Sequence, residues 1–171
     1  MSQVVSVFKV LKNTDLHALS ALEAVQRYLG YPNLKALRRI QLWEVGVDQV
    51  SDAQKILSTT FYLLNPNKET YTLGRLAESK MKAGERRFRI KVLDKEPEDL
   101  SHLISKISQK TNVTVRSLNR FLLWEMSVVD PREEDDIRRE LAEKVVVSSS
   151  RTKGLLINPV TQDFEWISAS S

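Results

Sequence analysis

A chain of 171 residues with 42% hydrophobic and 28% charged side chains can bury the core of one ordinary domain or two small ones, which excludes a disordered chain. It has no cysteine, which excludes disulfides, thiolate metal sites and a cysteine nucleophile. The net charge of +4 invites a nucleic-acid reading, but the densest basic stretch, GRLAESKMKAGERRFRIK, also carries Glu78 and Glu85 and reads as a solvated linker face.

In chain order, VVSVFKVLK alternates as a strand. A helix follows with Leu16, Leu19, Leu22, Val25 and Leu29 on one stripe, capped near Thr14 or Asp15 and stopped at Gly30. Leu34–Val47 reads as one long strand, without the Gly or Asn signal that would make it a hairpin. A second helix is expected from a capping box at Ser51 and Gln54, turning Ile56, Leu57, Thr60, Phe61 and Leu64 inward. Asn65-Pro66 ends it, and a last strand runs through Tyr71. The same plan restarts at Phe88. Pro97 opens a helix with Leu100, Leu103, Ile104 and Ile107 on its stripe, and the next strand ends at Val129. Asp130-Pro131 opens the other helix, where Ile137, Leu141 and Val145 recur at helical spacing.

The plan is doubled because the sequence is. RRIQLWEVGV and NRFLLWEMSV place Trp43-Glu44 and Trp124-Glu125 81 residues apart, with Leu37 on Leu118, Arg39 on Arg120 and Leu42 on Leu123. FKVLK (Phe8 to Lys12) matches IKVLD (Ile90 to Asp94) at an offset of 82. LLNPNKETYTL matches LINPVTQDFEWI at 93, so the second copy holds an expansion around VVVSSSRTKG, whose role (147–154) the pattern leaves open. The expected organisation is repeat 1 over 1–78, a linker over 79–86 and repeat 2 over 87–171, together one compact body. Both middle strands are apolar on both faces, so two helices would cover one face and the sister copy the other. The expected fold is therefore α+β, with two tandem βαβ(β)αβ halves packed as a pseudo-twofold dimer, helices on sheet.

No catalytic, cofactor or metal site emerges. His17 and His102 lie in the first helix of each copy and belong to no nucleophile–base arrangement. DPREEDD places its acids where they offset a helix macrodipole, and its spacing lacks that of a calcium loop. The five glycines are scattered, so no phosphate-cradling loop forms. Trp43 and Trp124 could stack bases, but aromatics on alternating apolar strands read as core.

Two stretches resemble the PurS subunit family of phosphoribosylformylglycinamidine synthase. ALEAVQRYLGYPNLKALRRIQLWEVGV ends its helix in Leu29-Gly30-Tyr31 and continues into a basic strand with Arg38, Gln41 and Glu44. LLINPVTQDFEWI resembles the closing segment of the family through Asn158, Pro159, Val160, Asp163 and Phe164. The resemblance covers nearly the whole chain as two tandem copies. The Gly-Lys usual in the family's central strand is Ile40-Gln41 in one copy and Phe121-Leu122 in the other. The resemblance implies a non-catalytic assembly subunit of a glutamine- and ATP-dependent ligase complex in de novo purine biosynthesis. Its partners would be the glutaminase and synthetase subunits, with self-association open and nucleic acid disfavoured. On it, the candidate interface residues are Arg38, Arg39, Glu44, Arg120 and Glu125, with the turns at Asn65-Pro66 and Asn158-Pro159; simple helix termination is the competing reading of the turns.

Two other functions stay open. An RNA-binding module of duplicated small sheets would need exposed aromatics on the sheet. A small-metabolite sensor would hold its ligand between the copies. No apolar run approaches the ~18 residues of a bilayer span, and MSQVVSVFKVLKN lacks the cationic start of a signal peptide. The expectation is a soluble, cytoplasmic chain with no membrane attachment.

Overall fold

The structure is a computed structural model and describes residues 2–168. These form an α+β fold with a six-stranded antiparallel sheet and four α-helices. The elements run β1 (Gln3–Leu11), α1 (Leu16–Arg27), β2 (Leu34–Val47), α2 (Val50–Thr59) and β3 (Glu69–Leu73). They continue as β4 (Glu85–Asp94), α3 (Ser101–Thr111), β5 (Ser117–Val129), α4 (Glu134–Leu141) and β6 (Gln162–Ile167), so the same order occurs twice. Strand order in the sheet is β3-β1-β2-β5-β4-β6. Among the described residues, no helix is long and apolar enough to cross a membrane.

The described residues fall into two compact units, each drawing on both halves of the chain. The first takes Met1–Asn13, Ile40–Ala77 and Glu98–Phe121. Its core joins Val5, Val7, Trp43 and Val45 of β1 and β2 to Ile56 of α2, and also to Ile107 of α3 and Val113 beyond it. The second takes Thr14–Arg39, Glu78–Pro97 and Leu122–Ser171. There Phe88, Ile90 and Val92 of β4 and Trp124 and Met126 of β5 pack with Ile137 and Leu141 of α4, and with Ala18 and Val25 of α1. Each unit thus takes its second helix from the half that supplies most of its strands and its first helix from the other half. The sequence repeats and the packing units are different partitions of the chain.

Local signals explain most of the boundaries. Asp15 caps α1, its Oδ1 accepting from the backbone N–H of His17 and Ala18. Gly30 (φ +66°) turns the chain out of that helix, and Tyr31 beyond it is buried. The buried stripe of α1 runs through Ala18, Ala21 and Val25, with Leu22 and Leu29 packed against the same core. Leu16 and Leu19, expected on it, are exposed: leading with alanines keeps the 3.6 period while rotating the stripe. Helix α2 begins earlier than expected, where the Gln49 N–H donates to the Asp52 carboxylate. It also ends earlier, so Phe61 faces outward while Leu63 and Leu64 are buried in the following turn. Ile137, Leu141 and Val145 are all buried as expected, the last on a π turn (Ala142–Val146) that continues α4.

The sheet register shifts the expected match of the first strands by one residue. Val7 stands opposite Trp43 and Ile90 opposite Trp124, so β1 matches β4 at 90 − 7 = 83, not 82. A one-residue slip turns every side chain to the other face. The offset of 83 sets Val5 and Val7 on Phe88 and Ile90, all four buried.

Candidate interface residues and a buried arginine–glutamate centre

The two Asn-Pro turns are built alike. The Asn65 carbonyl accepts from Lys68 and Glu69, and that of Asn158 from Thr161 and Gln162. The Asn65 side-chain oxygen accepts from the Asn67 N–H and that of Asn158 from the Val160 N–H, which forms an Asx turn each time. The backbone N–H of Asn65 donates to Glu69 and that of Asn158 to Gln162, four residues on. Lys12 Nζ donates to the Pro66 carbonyl, and Lys95 Nζ to the Pro159 carbonyl at 2.8 Å. Lys12 and Lys95 are 83 residues apart, the offset set by the strand register. Both prolines therefore sit in exposed turns whose backbone is held by the protein itself, and Val160 is among the most exposed apolar side chains.

Arg39 and Arg120 also occupy equivalent positions. Arg39 Nε lies 3.0 Å from Asp15 Oδ2 at the start of α1, and Arg120 pairs with Glu98 just before α3. Each ties the entry of a first helix to a middle strand. Arg120 in addition lies over the Trp43 ring, 5.4 Å from its centroid, and Lys9 lies 6.0 Å from the same ring. Glu44 faces Ser6 in the β1–β2 ladder and is half-buried.

Glu125 and Arg38 come together inside the second unit. Arg38 Nε lies 3.2 Å from Glu125 Oε1, and its Nη2 donates to Oε2 at 3.2 Å. Two further guanidiniums join them. Arg89 Nε donates to Oε2 at 2.6 Å, and Arg87 Nε lies 3.4 Å from Oε1. The Ser79 hydroxyl donates to Oε1 at 3.2 Å, and the Ser79 carbonyl accepts from Arg87 Nη2 at 2.5 Å. The side chains of Glu125 and Arg89 are 2% exposed, that of Arg87 5% and that of Arg38 28%. Burial pushes the Glu125 carboxyl up, but Arg38, Arg89 and Arg87 outweigh it and hold the group below the usual carboxylate range.

Arg87, Arg89 and Ser79 were missed by the sequence reading, which treated their stretch as a solvated linker. The signal was present: in ERRFRIKV the cations at 87 and 89 alternate with Phe88 and Ile90, which assigns them to one face of a strand. Arg38 comes from the first half and Ser79 from the segment that follows it, whereas Glu125, Arg87 and Arg89 come from the second half. At the offset of 83, Arg87 and Arg89 match Val4 and Ser6, neither of which is charged.

A second acid–base cluster surrounds the start of α4. Arg132 forks onto Asp130, with Nη2 2.6 Å from Oδ2, and pairs with Glu140. Hydrogen bonds from Arg132 hold the Asp130 carboxyl down at about 2. Burial, reinforced by Glu140 and Asp130 and opposed by Arg132, pushes the Tyr31 hydroxyl up to about 12.

Both Trp43 and Trp124 are core residues, 3% exposed, so neither offers the open stacking face that the RNA-binding reading requires. His17 packs near Trp124 with ring centroids 6.1 Å apart. It lines a cavity of about 560 Å³ with Leu16, Ser20, Ala21, Ala24, Trp124, Leu155 and Leu156. That lining holds no carboxylate, so His17 has no acid partner there to orient or activate it. Compared with protein-family models, curated proteins and solved structures, the chain has no significant match.

Proposed function

We propose that this chain is a non-catalytic assembly subunit of a phosphoribosylformylglycinamidine synthase, in which two tandem PurS-like halves stand in for two copies of a smaller subunit. The observation that carries the reading is the agreement between the motifs and the joints of the fold. Leu29-Gly30-Tyr31 makes the turn from α1 towards β2, with Gly30 at φ +66°. Asn158-Pro159 makes the turn into β6 with the same bonding as Asn65-Pro66 into β3. The paired clamps Asp15–Arg39 and Glu98–Arg120 support a tandem, pseudo-twofold organisation in the same way. On this reading the chain bridges the glutaminase and the ATP-dependent synthetase, and the exposed Asn-Pro turns are the surfaces it offers them. Its setting would be the cytoplasm.

Sedimentation velocity on the chain mixed with the two enzyme subunits from the same source tests the bridge. A species containing all three proteins, weakened when Val160 and the adjacent turn are changed to a Gly-Ser loop, is the expected outcome. Independent sedimentation of the three proteins at micromolar concentration would overturn it.

A further inference from the structure

The cavity beside α1 has a chemistry that the assembly role leaves unused. No Lys, Arg, Asp or Glu lines it, and its volume of about 560 Å³ lies within the range of small-molecule pockets. Ser20, Ala21 and Ala24 of α1 form one wall and Leu155 and Leu156 another, while Trp124, 3% exposed, closes the inner end. Leu16 and Leu155 stay exposed at the mouth. The α1 wall is open because its side chains are short. At the offset of 107 − 25 = 82 that aligns the buried stripes of α1 and α3, Ala18 and Ala21 stand where Leu100 and Leu103 pack into the core of the first unit. The other wall follows the expansion at 147–154. It is held to the π turn, where the Leu155 N–H donates to the Val145 carbonyl at 2.8 Å and the Leu156 N–H to that of Val146 at 3.0 Å. The alanines and the expansion both belong to this unit, so the cavity is an addition to the repeated plan. Its polar groups are His17 and Ser20, both exposed and three residues apart on one side of α1. Neither side chain hydrogen-bonds to another described residue, since the bond from His17 to Asp15 is made by its backbone.

We propose that this cavity binds an uncharged aromatic molecule of one or two fused rings, which enters past Leu16 and Leu155 and hydrogen-bonds to His17 or Ser20. An ion would give up its hydration there with no charged side chain to answer it. A flat ring fits against a wall of short side chains. It also adds a third ring to His17 and Trp124, whose centroids lie 6.1 Å apart with the planes tilted by 51°. A single hydroxyl or ring N–H on the ligand satisfies the polar edge, and the rest of the lining asks only for apolar surface. The site does not depend on the assembly role.

The test follows the backbone amides and the Trp124 indole N–H of the full chain by NMR while 2-naphthol is added. The charged 2-naphthoate and the saturated decahydro-2-naphthol, which keep the same skeleton, are the comparisons. Saturable shifts with 2-naphthol at Ser20, Ala24, Leu155 and the Trp124 indole are expected, with both comparison compounds about tenfold weaker or more. Ala24→Leu, which fills the space from the α1 wall, should weaken 2-naphthol binding at least tenfold without lowering Tm. Ser20→Leu, which fills it from an exposed position, should do the same and covers the case in which Ala24→Leu does not fold. Shifts that do not saturate, or binding that persists unchanged in a folded filled variant, would overturn the site. Equal affinity for the carboxylate or for the saturated alcohol would overturn the uncharged aromatic class.

Discussion

Glu125 answers three guanidiniums from a position where water cannot. Removing it leaves Arg87 and Arg89 charged, buried and facing each other. Truncating one partner of such a network costs about 3–5 kcal/mol, far more than an exposed ion pair is worth. Glu125→Ala should therefore lower the urea midpoint far more than Glu134→Ala, whose contacts to Arg86 and Arg138 are mostly solvated. Equal midpoints for the two variants would mean that the centre is not buried. The same residues set the acid limit of stability. Native Glu125 and Asp130 both titrate below the ordinary carboxylate range, Asp130 at about 2. Between the unfolded value near 4 and the lower native value, only the unfolded chain takes up the proton. The contribution of Asp130 is thus complete above about pH 4 and is lost as pH falls towards 2, and that of Glu125 is lost in the same direction, below the ordinary carboxylate range. Tyr31 acts at the other end, because a native value of about 12 against about 10 unfolded makes stability fall as pH rises through that interval. Urea unfolding across pH should show both losses, and Asp130→Asn should flatten the acid one. Arg38 and Glu125 were legible as candidate interface residues, whereas Arg87, Arg89 and Ser79 were not. Composition reports the density of charge along a stretch, whereas the sheet's alternation decides which charges are turned inwards.

At the scale of elements, two glycines with the same backbone sign should respond differently to alanine. Gly30 (φ +66°) has open space where a Cβ would go, so Gly30→Ala pays only the left-handed strain, about 1–2 kcal/mol. At Gly154 (φ +75°) a Cβ would lie 1.7 Å from the Val147 carbonyl oxygen, so the 147–154 loop must also move. Gly154→Ala should lower Tm by at least twice as much as Gly30→Ala, and a smaller effect would show that the loop yields easily. The elements themselves were largely readable. Strand alternation, Asp15 as a cap, Gly30 as a stop and both Asn-Pro turns are local signals, and each is where the local chemistry requires it. What local pattern could not fix was rotation and register. The α1 stripe leads with Ala18 and Ala21 in place of Leu16 and Leu19, and β1 matches β4 one residue further along than the best letters suggest. In both cases the choice between adjacent positions is made by tertiary packing.

At the scale of the molecule, each half lends its first helix to the unit built on the other half's strands. An apolar helical stripe states that it must be covered but not by which sheet, so this exchange could not be read from the sequence. It has a direct consequence for cleavage. Neither 1–78 nor 87–171 contains all the residues of one compact unit. A protease site placed at Lys82-Ala83, in the exposed segment 77–84, should yield two fragments that co-elute on gel filtration and separate only in denaturant. Fragments that part under native conditions would contradict the exchange of helices.

The functional account is tested most directly by glutamine-dependent amidotransferase activity, assayed with the synthetase and glutaminase subunits from the same source, with and without this chain. The account predicts that activity coupled to glutamine appears only when the chain is added, and that ammonia-dependent activity of the synthetase needs it less. Full glutamine-dependent activity in its absence, with no association with either subunit, would contradict the assembly role.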